Sequence, residues 1–360
     1  MDSKIKIAML GTVADFHTHG LGIQRYMHEI TKEVMTQNDA NARSKMDIRK
    51  VECPVYPAIG NGFSLLAWSL LHGLKEFDIL HNLQPALLYQ SSKKRHSGKI
   101  ITTVHDYMTL FYRDLIVGDL GNVKGKLWYN LIIKNAELYS LNSDFLIAVS
   151  SQTAEEAIKL GFDKKMINVI GQALDGRFFK PIQMKNGGSQ FRVGYIGGFN
   201  SRKNVAFAIR AFNKIDEDDI AFDVWGKEKY EYSHLVELAE GNKKISFRGF
   251  LPEGKLLETY DSFDAFVFPS LYEGFGMPML EAQSRGIPTI AYKKSMIPEE
   301  VKRNCILAED EAHLAQIIVD LKENGPNKVK VERAMHEART YSWENIAKET
   351  LKVYELLAES

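Results

Sequence analysis

Hydrophobic positions along the chain keep two alternating rhythms. Short, almost unbroken apolar runs recur, and between them lie segments with an apolar residue every three or four positions. The runs "IKIAML" (Ile5–Leu10), "DILHN" (Asp78–Asn82), "KIITTVH" (Lys99–His105), "FLIAVS" (Phe145–Ser150) and "MINVI" (Met166–Ile170) are too short for ordinary helices. They predict parallel strands buried on both faces. "GIQRYMHEITKEVM" (Gly22–Met35) and "QTAEEAIKLG" (Gln152–Gly161) predict amphipathic helices between them. Strand, helix, strand in alternation is the grammar of an α/β fold.

After Met166–Ile170 the rhythm lapses and then restarts. "DGRFFKPIQMKNGGSQ" (Asp175–Gln190) is turn-rich, has little periodicity and ends near the pair Gly187–Gly188. These are features of an interdomain linker and hinge. Beyond it, "FRVGYIG" (Phe191–Gly197), "IAFDVWG" (Ile220–Gly226), "ISFRGF" (Ile245–Phe250), "DAFVFPS" (Asp264–Ser270) and "IPTIAY" (Ile287–Tyr292) repeat the strand pattern. Two Rossmann-like, doubly wound α/β domains in tandem are the simplest account. They are expected over residues 1–178 and 189–342, with a final amphipathic helix over 343–360 crossing back onto the first.

The bulk numbers agree with that division. At 360 residues the chain is too long for one ordinary core. Hydrophobic residues make up 45% and charged residues 26%, the balance of a soluble globular protein. The net charge is zero, so the total gives no argument for a nucleic-acid partner. Residues 1–180 carry 22 Lys+Arg against 18 Asp+Glu, and residues 181–360 carry 24 against 28. That is a weak tilt toward an anionic partner at the first half. Cys53 and Cys305 offer neither a metal-ligand spacing nor a disulfide framework, which fits a reducing, cytoplasmic compartment. "MDSKIKIAML" enters a strand at once, without the layout of a secretory signal. The longest apolar stretch, "FSLLAWSLLHGL" (Phe63–Leu74), is too short to span a bilayer.

Open parallel sheets bind ligands beyond the carboxyl ends of their strands. The loop after "DAFVFPS" lies there, in "SLYEGFGMPMLEAQSRGIPTIAY" (Ser270–Tyr292). Gly274 and Gly276 let backbone approach a ligand, and Pro278 suits the first turn of a helix. The amides around Phe275 and Met277 then face an anion. Glu281 falls one turn inside that helix and Glu273 on the loop before it, each placed to accept hydrogen bonds from hydroxyls. Phosphate between two polyols describes a nucleotide sugar. A capped helix with two solvated acids is the other account of the same residues.

A second stretch bears on that choice. "YIGGFNSRKN" (Tyr195–Asn204) carries a strand, the pair Gly197–Gly198, then Arg202 and Lys203 opening a helix. Two cations beside free helix amides make a clamp for a diphosphate. A strand-to-helix turn with surface cations is the alternative. The full spacing of a phosphate-binding P-loop is absent, so no ATPase is expected.

"GGFNSRKN" followed by "FPSLYEGFGMPMLEAQSRGIPTI" resembles the retaining glycosyltransferases of the GT-B architecture, specifically the family-four (group 1) kind. Two glutamates separated by seven residues are a hallmark of that family. "VHDYMTLFYR" (Val104–Arg113) resembles its first-domain histidine loop. "SDFLIAVSSQTAEEAIKLG" with "MINVIGQALDGRFFKP" resembles its end-of-domain segment, so the resemblance spans nearly the whole chain. It implies two domains facing across a cleft, a nucleoside-diphosphate sugar as donor, and a glycan or lipid-linked acceptor. It also implies roles. Arg202 and Lys203 hold the donor diphosphate, and Glu281 binds the ribose. Glu273 binds the donor sugar, assisted by the backbone of Gly274, Phe275, Gly276 and Met277. His105 touches the sugar from the first domain, although alone it reads as a structural histidine at a strand end. Gly20 and Gly22, in "HTHGLGIQR" (His17–Arg25), lie near the phosphates and acceptor. Gly198 joins the donor set, and Phe250, in "RGFLP" (Arg248–Pro252), lies beside the base. Two departures fall on the acceptor side: Gly20 and Gly22 are spaced rather than adjacent, and "GQALD" (Gly171–Asp175) stands where the family commonly shows Asn-Gly.

The departing nucleoside diphosphate gathers negative charge, which Arg202, Lys203 and the helix amides can neutralise. The Asp-x-Asp pattern, in "DEDD" (Asp216–Asp219), sits on a polar stretch between a helix and a strand. No metal and no other cofactor is therefore expected. Front-face attack by the acceptor, with retention of configuration, is what the resemblance implies. "GNVKGKLWYNLIIKN" (Gly121–Asn135) pairs Lys124, Lys126 and Lys134 with Trp128 and Tyr129, and "SKKRHSGK" (Ser92–Lys99) adds a basic loop. Peripheral contact with an anionic bilayer, on the inner face of the membrane, is one reading. A half-buried helix and an ordinary loop are the plainer one. Two other classes share the donor motifs: a sugar-nucleotide epimerase of the same architecture, and a non-catalytic nucleotide-sugar-binding protein. The sugar, the base and the linkage stay open.

Overall fold

A computed structural model describes residues 4–12, 22–53, 74–83, 98–112, 137–138, 140–182, 190–229 and 231–359. Contacts divide the chain into two units. One comprises the described residues as far as Ala173 together with those from Tyr341 onward; the other runs from Leu174 to Thr340.

In the first unit, strands β1 (Ile5–Thr12), β2 (Met46–Cys53), β3 (Ile79–Asn82), β4 (Lys99–Val104), β5 (Phe145–Ala148) and β6 (Ile167–Val169) form one parallel sheet. Its order is β2-β1-β3-β4-β5-β6. β3 and β5 are buried along their whole length, as unbroken apolar runs require. Helices α1 (Ile23–Ala40), α2 (Met108–Phe111) and α3 (Ser151–Lys159) belong to this unit. The Ser150 hydroxyl starts α3 by accepting from the Thr153 amide at 3.1 Å.

The second unit repeats the plan with β7 (Phe191–Ile196), β8 (Ile220–Trp225), β9 (Ile245–Gly249), β10 (Ala265–Phe268), β11 (Thr289–Tyr292) and β12 (Ile306–Ala308). Its helices are α4 (Val205–Phe212), α5 (Tyr232–Leu238), α6 (Leu256–Asp261), α7 (Met277–Ser284), α8 (Glu299–Lys302), α9 (Glu311–Asn324) and α10 (Lys328–Ala338). The parallel order is β12-β11-β10-β7-β8-β9. The chain starts in the middle at β7, winds outward to β9, then returns to the other side of β7 with β10. Strand order therefore reverses between β7 and β10, which makes their carboxyl ends the ligand-binding crevice of such a sheet. Packing behind the crevice is tight. Phe212 of α4 stacks on Phe222 of β8 at 4.4 Å. A Cβ on Gly194 of β7 would stand 2.2 Å from the Phe263 ring.

The last helix, α11 (Trp343–Ala358), lies along α1 in the first unit. Tyr354 meets His81 Nδ1 at 2.6 Å, and His81 Nε2 meets the Thr103 hydroxyl at 2.8 Å. Burial lowers the His81 imidazole to about 3, so a neutral ring joins α11 to β3 and β4.

Leu174 to Ile182 belong to the second unit, so the change of unit falls ahead of the expected linker and of the expected domain end at residue 178. Arg285 is the reason. Its buried guanidinium donates to the carbonyls of Phe178, Lys180 and Pro181 at 3.3, 2.6 and 3.2 Å. It also pairs with Asp261 through two bonds of 2.7 Å. The expected hinge glycines Gly187 and Gly188 lie outside the described residues, as does nearly all of Phe63–Leu74. No helix among the described residues is long and apolar enough to cross a membrane.

Candidate functional site

The residues singled out in the sequence leave from the carboxyl ends of β7 and β10. After β7, Gly197 and Gly198 turn the chain. A Cβ on Gly197 would stand 2.5 Å from the Tyr195 hydroxyl, whereas one on Gly198 would meet open space. Gly197 is thus required by packing, and Gly198 leaves its backbone approachable. Its carbonyl accepts from Tyr195 at 2.6 Å.

Ser201, Arg202 and Lys203 form a single 3₁₀ turn, and α4 begins at Val205. The two cations therefore precede the helix, where the sequence suggested that they open it. The cause is Asn204, which takes the left-handed conformation (φ 50°) while its side chain donates to the Pro269 carbonyl at 3.2 Å. This turn holds the cations against the loop after β10. The Arg202 carbonyl accepts from the Leu271 amide at 2.8 Å, and Arg202 Nη1 donates to the Tyr272 carbonyl at 2.7 Å.

Glu273 is the centre of the cluster. Its Oε1 receives Arg202 Nη1 at 2.8 Å and Lys203 Nζ at 2.7 Å. The three side chains are 11%, 18% and 12% exposed, in the order Glu273, Arg202, Lys203. Lys203 Nζ also lies 5.0 Å from the centre of the Phe268 ring. The loop is braced from behind: the Glu273 amide donates to the Met296 carbonyl at 2.9 Å, and the Met296 amide to the Leu271 carbonyl at 2.8 Å. Lys302 fixes that brace by donating to the carbonyls of Lys293 and Ser295 at 2.9 and 2.5 Å. Burial pushes the Glu273 carboxyl up, but Lys203 and Arg202 overcome it and hold it at about 2. Burial lowers the Lys203 ammonium against the pull of Glu273. The charged pair is the state that the shared oxygen favours. One carboxylate against two cations leaves one positive charge among the three, an arrangement that attracts an anion.

Helix α7 is capped at its start by Gly276, whose φ of 102° favours glycine, with Pro278 in its first turn. Phe275 is buried, with 3% of its surface exposed. Glu281 lies one turn into α7, and its Oε2 accepts from the Tyr260 hydroxyl at 2.7 Å. Phe250 follows β9, two strands along from β7; it is 53% exposed, and Lys227 Nζ lies 4.9 Å from its ring centre. The acidic run pairs on the surface, Asp218 with Lys244 at 3.7 Å and Asp219 with Lys322 at 2.6 Å.

In the first unit, His105 directly follows β4 and is 5% exposed. Its Nε2 lies 3.1 Å from the Leu83 carbonyl. A carbonyl can only accept, so Nε2 carries the proton and Nδ1 accepts from the Gln172 amide at 3.3 Å. Tyr26 stands edge-on at 4.9 Å. Burial lowers the imidazole to about 4. Gly22 (φ 78°) begins α1 with open space around it. Gly20, Lys124, Lys126, Trp128, Tyr129, Lys134 and most of Ser92–Lys99 lie outside the described residues.

The structure thus gathers Arg202, Lys203 and Glu273 into one contact and sets Glu281 on the helix that follows. The two residues that hold this arrangement, Tyr260 and Lys302, carry no motif in the sequence. Comparison with known proteins gives the family. Residues 22–175 match the model of Glycosyltransferase Family 4, and residues 179–338 match that of Glycosyl transferases group 1. The chain belongs to this group of glycosyltransferases, with the GT-B architecture. O-antigen chain mannosyltransferase B of Escherichia coli is 30% identical over 172 residues, covering 45% of this chain and 45% of that protein. The match therefore spans less than half the length of that relative. Sucrose-phosphate synthase from Thermosynechococcus elongatus superposes with a TM-score of 0.73 at 18% identity, over 99% of this chain and 100% of that one. Anabaena HepE, solved in complex with UDP-glucose, gives 0.67 at 16% identity over 99% and 100%. At these identities the two solved structures share the fold.

Proposed function

We propose that the protein is a metal-independent, retaining hexosyltransferase. It moves a hexose from a UDP- or GDP-sugar to a glycan or lipid-linked acceptor. The observation that carries this reading is the buried Arg202–Lys203–Glu273 cluster at the crevice of the second sheet, with its one excess positive charge. A diphosphate suits that charge and the approachable backbone at Gly198. Glu281 then binds the ribose, and Phe250 offers an apolar face beside the base. Support for a sugar donor comes from the mannosyltransferase relative and from the HepE complex with UDP-glucose.

Chemistry follows from the charges. The acceptor oxygen bonds to the anomeric carbon on the face that the diphosphate leaves. The bond from that carbon to the phosphate oxygen breaks, and the departing phosphate takes the acceptor proton. Arg202 and Lys203 gain strength as charge builds on the phosphate, because both are held in place before the reaction. Glu273 spaces the two cations and presents its carboxylate to the sugar. A thermal-shift panel of UDP- and GDP-sugars tests the donor: a ligand at a hundred times its dissociation constant adds about 2.7 kcal/mol. No stabilisation by any nucleotide or nucleotide sugar would remove the reading. Interconversion of the donor sugar without an acceptor would point to an epimerase instead.

A further inference from the structure

We propose that Tyr260 is a positioning residue for the nucleotide: its hydroxyl holds the Glu281 carboxylate where the ribose diol is read. This rests on the role given to Glu281 above and adds a residue that never meets the substrate.

Tyr260 lies on α6 and is fully buried. Two acceptors are in reach of its hydroxyl, Glu281 Oε2 at 2.7 Å and the Pro278 carbonyl at 3.3 Å. There is one proton to give, and the shorter, charge-assisted bond takes it. Burial raises the phenol well above its usual range, and Glu281 raises it further, so the hydroxyl stays a donor. The ring is held by Phe178, Phe263 and Phe266, with centroids 5.8, 6.4 and 5.6 Å away. The next residue, Asp261, is locked to Arg285, one turn beyond Glu281. Two side chains of α6 therefore meet two at the end of α7, and this pairing fixes both the helix and the carboxylate. A glutamate on a helix otherwise samples several rotamers, and binding must then meet the cost of ordering it. Holding it beforehand lowers that cost.

Calorimetric titration of UDP and GDP on wild type, Tyr260→Phe, Glu281→Gln and the double variant tests the assignment. Phenylalanine keeps the ring and its packing, and circular dichroism at the titration temperature checks the fold. Tyr260→Phe is expected to weaken binding of whichever nucleotide the wild type takes by about five- to tenfold. It should raise the donor KM by a similar factor and leave kcat nearly unchanged. The double variant should bind no more weakly than Glu281→Gln alone, because Tyr260 acts through Glu281. A well-folded Tyr260→Phe with wild-type affinity, beside a weakened Glu281→Gln, overturns the proposal and leaves the ribose reading standing. So do losses that multiply in the double variant. Wild-type affinity in Glu281→Gln overturns both.

Discussion

Replacing Glu273 by glutamine keeps the shape of the side chain and removes the carboxylate whose Oε1 Arg202 and Lys203 share. In the folded protein this carboxyl falls from 4.5 to about 2. At about 1.4 kcal/mol per pH unit, that drop is a preference of about 3 kcal/mol for the charged form at neutral pH. The group is nearly buried, so solvent screening trims this figure little. An independent route gives the same order: breaking a buried ion pair by removing one partner costs about 3–5 kcal/mol, because the other charge is left uncompensated. At about 2–4 °C per kcal/mol for a unit of this size, the melting midpoint of Glu273→Gln should fall by about 6–12 °C. The sign with pH also follows. The folded carboxyl titrates below the unfolded one, so its contribution is complete above 4.5 and is lost as pH falls toward about 2. The wild-type and variant stabilities should converge over that window. Thermal unfolding of both proteins, with and without saturating UDP or GDP, is the assay. A diphosphate supplies the negative charge that the substitution removed. Nucleotide should therefore raise the midpoint of the variant more than that of wild type, while turnover falls. A variant that melts with wild type, or that gains no more than wild type from nucleotide, would refute the view of this cluster as a cation pair held ready for an anion.

Two further outcomes are expected. The double change Arg202→Ala, Lys203→Ala should lower the transfer rate by about a hundredfold or more, by analogy with losing an oxyanion donor, and single-turnover kinetics would read it. Acid should weaken the protein well before Glu273 titrates, because His81 and His105 are buried neutral, at about 3 and about 4 against 6.5. The unfolded chain takes up their protons first, so stability falls as pH drops below 6.5, by about 3 kcal/mol for His105 and more for His81. Denaturant titrations of wild type and His81→Asn would show the variant with the flatter dependence.

Much of this arrangement was legible in the sequence. The runs that became β1, β3, β4, β5, β7, β8, β10 and β11 are apolar because both faces of a central parallel strand are covered, and the edge strands β6 and β9 keep enough apolar residues to be read as well. β2 and β12 escaped notice, although β6 and β9 at the opposite edges did not. β2 alternates polar and apolar residues in "MDIRKVEC", and β12 has three residues. Motif spacing pointed to Arg202, Lys203, Glu273 and Glu281, but not to the ion pairs among the first three. That contact depends on β10 lying beside β7, which is a matter of strand order, not of spacing along the chain. Tyr260 and Arg285 were illegible for a related reason. Each acts through a partner at least 21 residues away across a helix–helix contact, and neither stands in a pattern that chemistry alone would mark.

Transfer with retention, driven by protein cations, is the proposed reaction. The most direct measurement is NMR of the product formed from UDP- and GDP-hexoses with a panel of glycan and lipid-linked acceptors, in the presence of EDTA. The expected product is a glycoside that keeps the anomeric configuration of the donor, formed at the same rate with and without chelator. An inverted anomer, or activity that vanishes in EDTA and returns with magnesium or manganese, would contradict it.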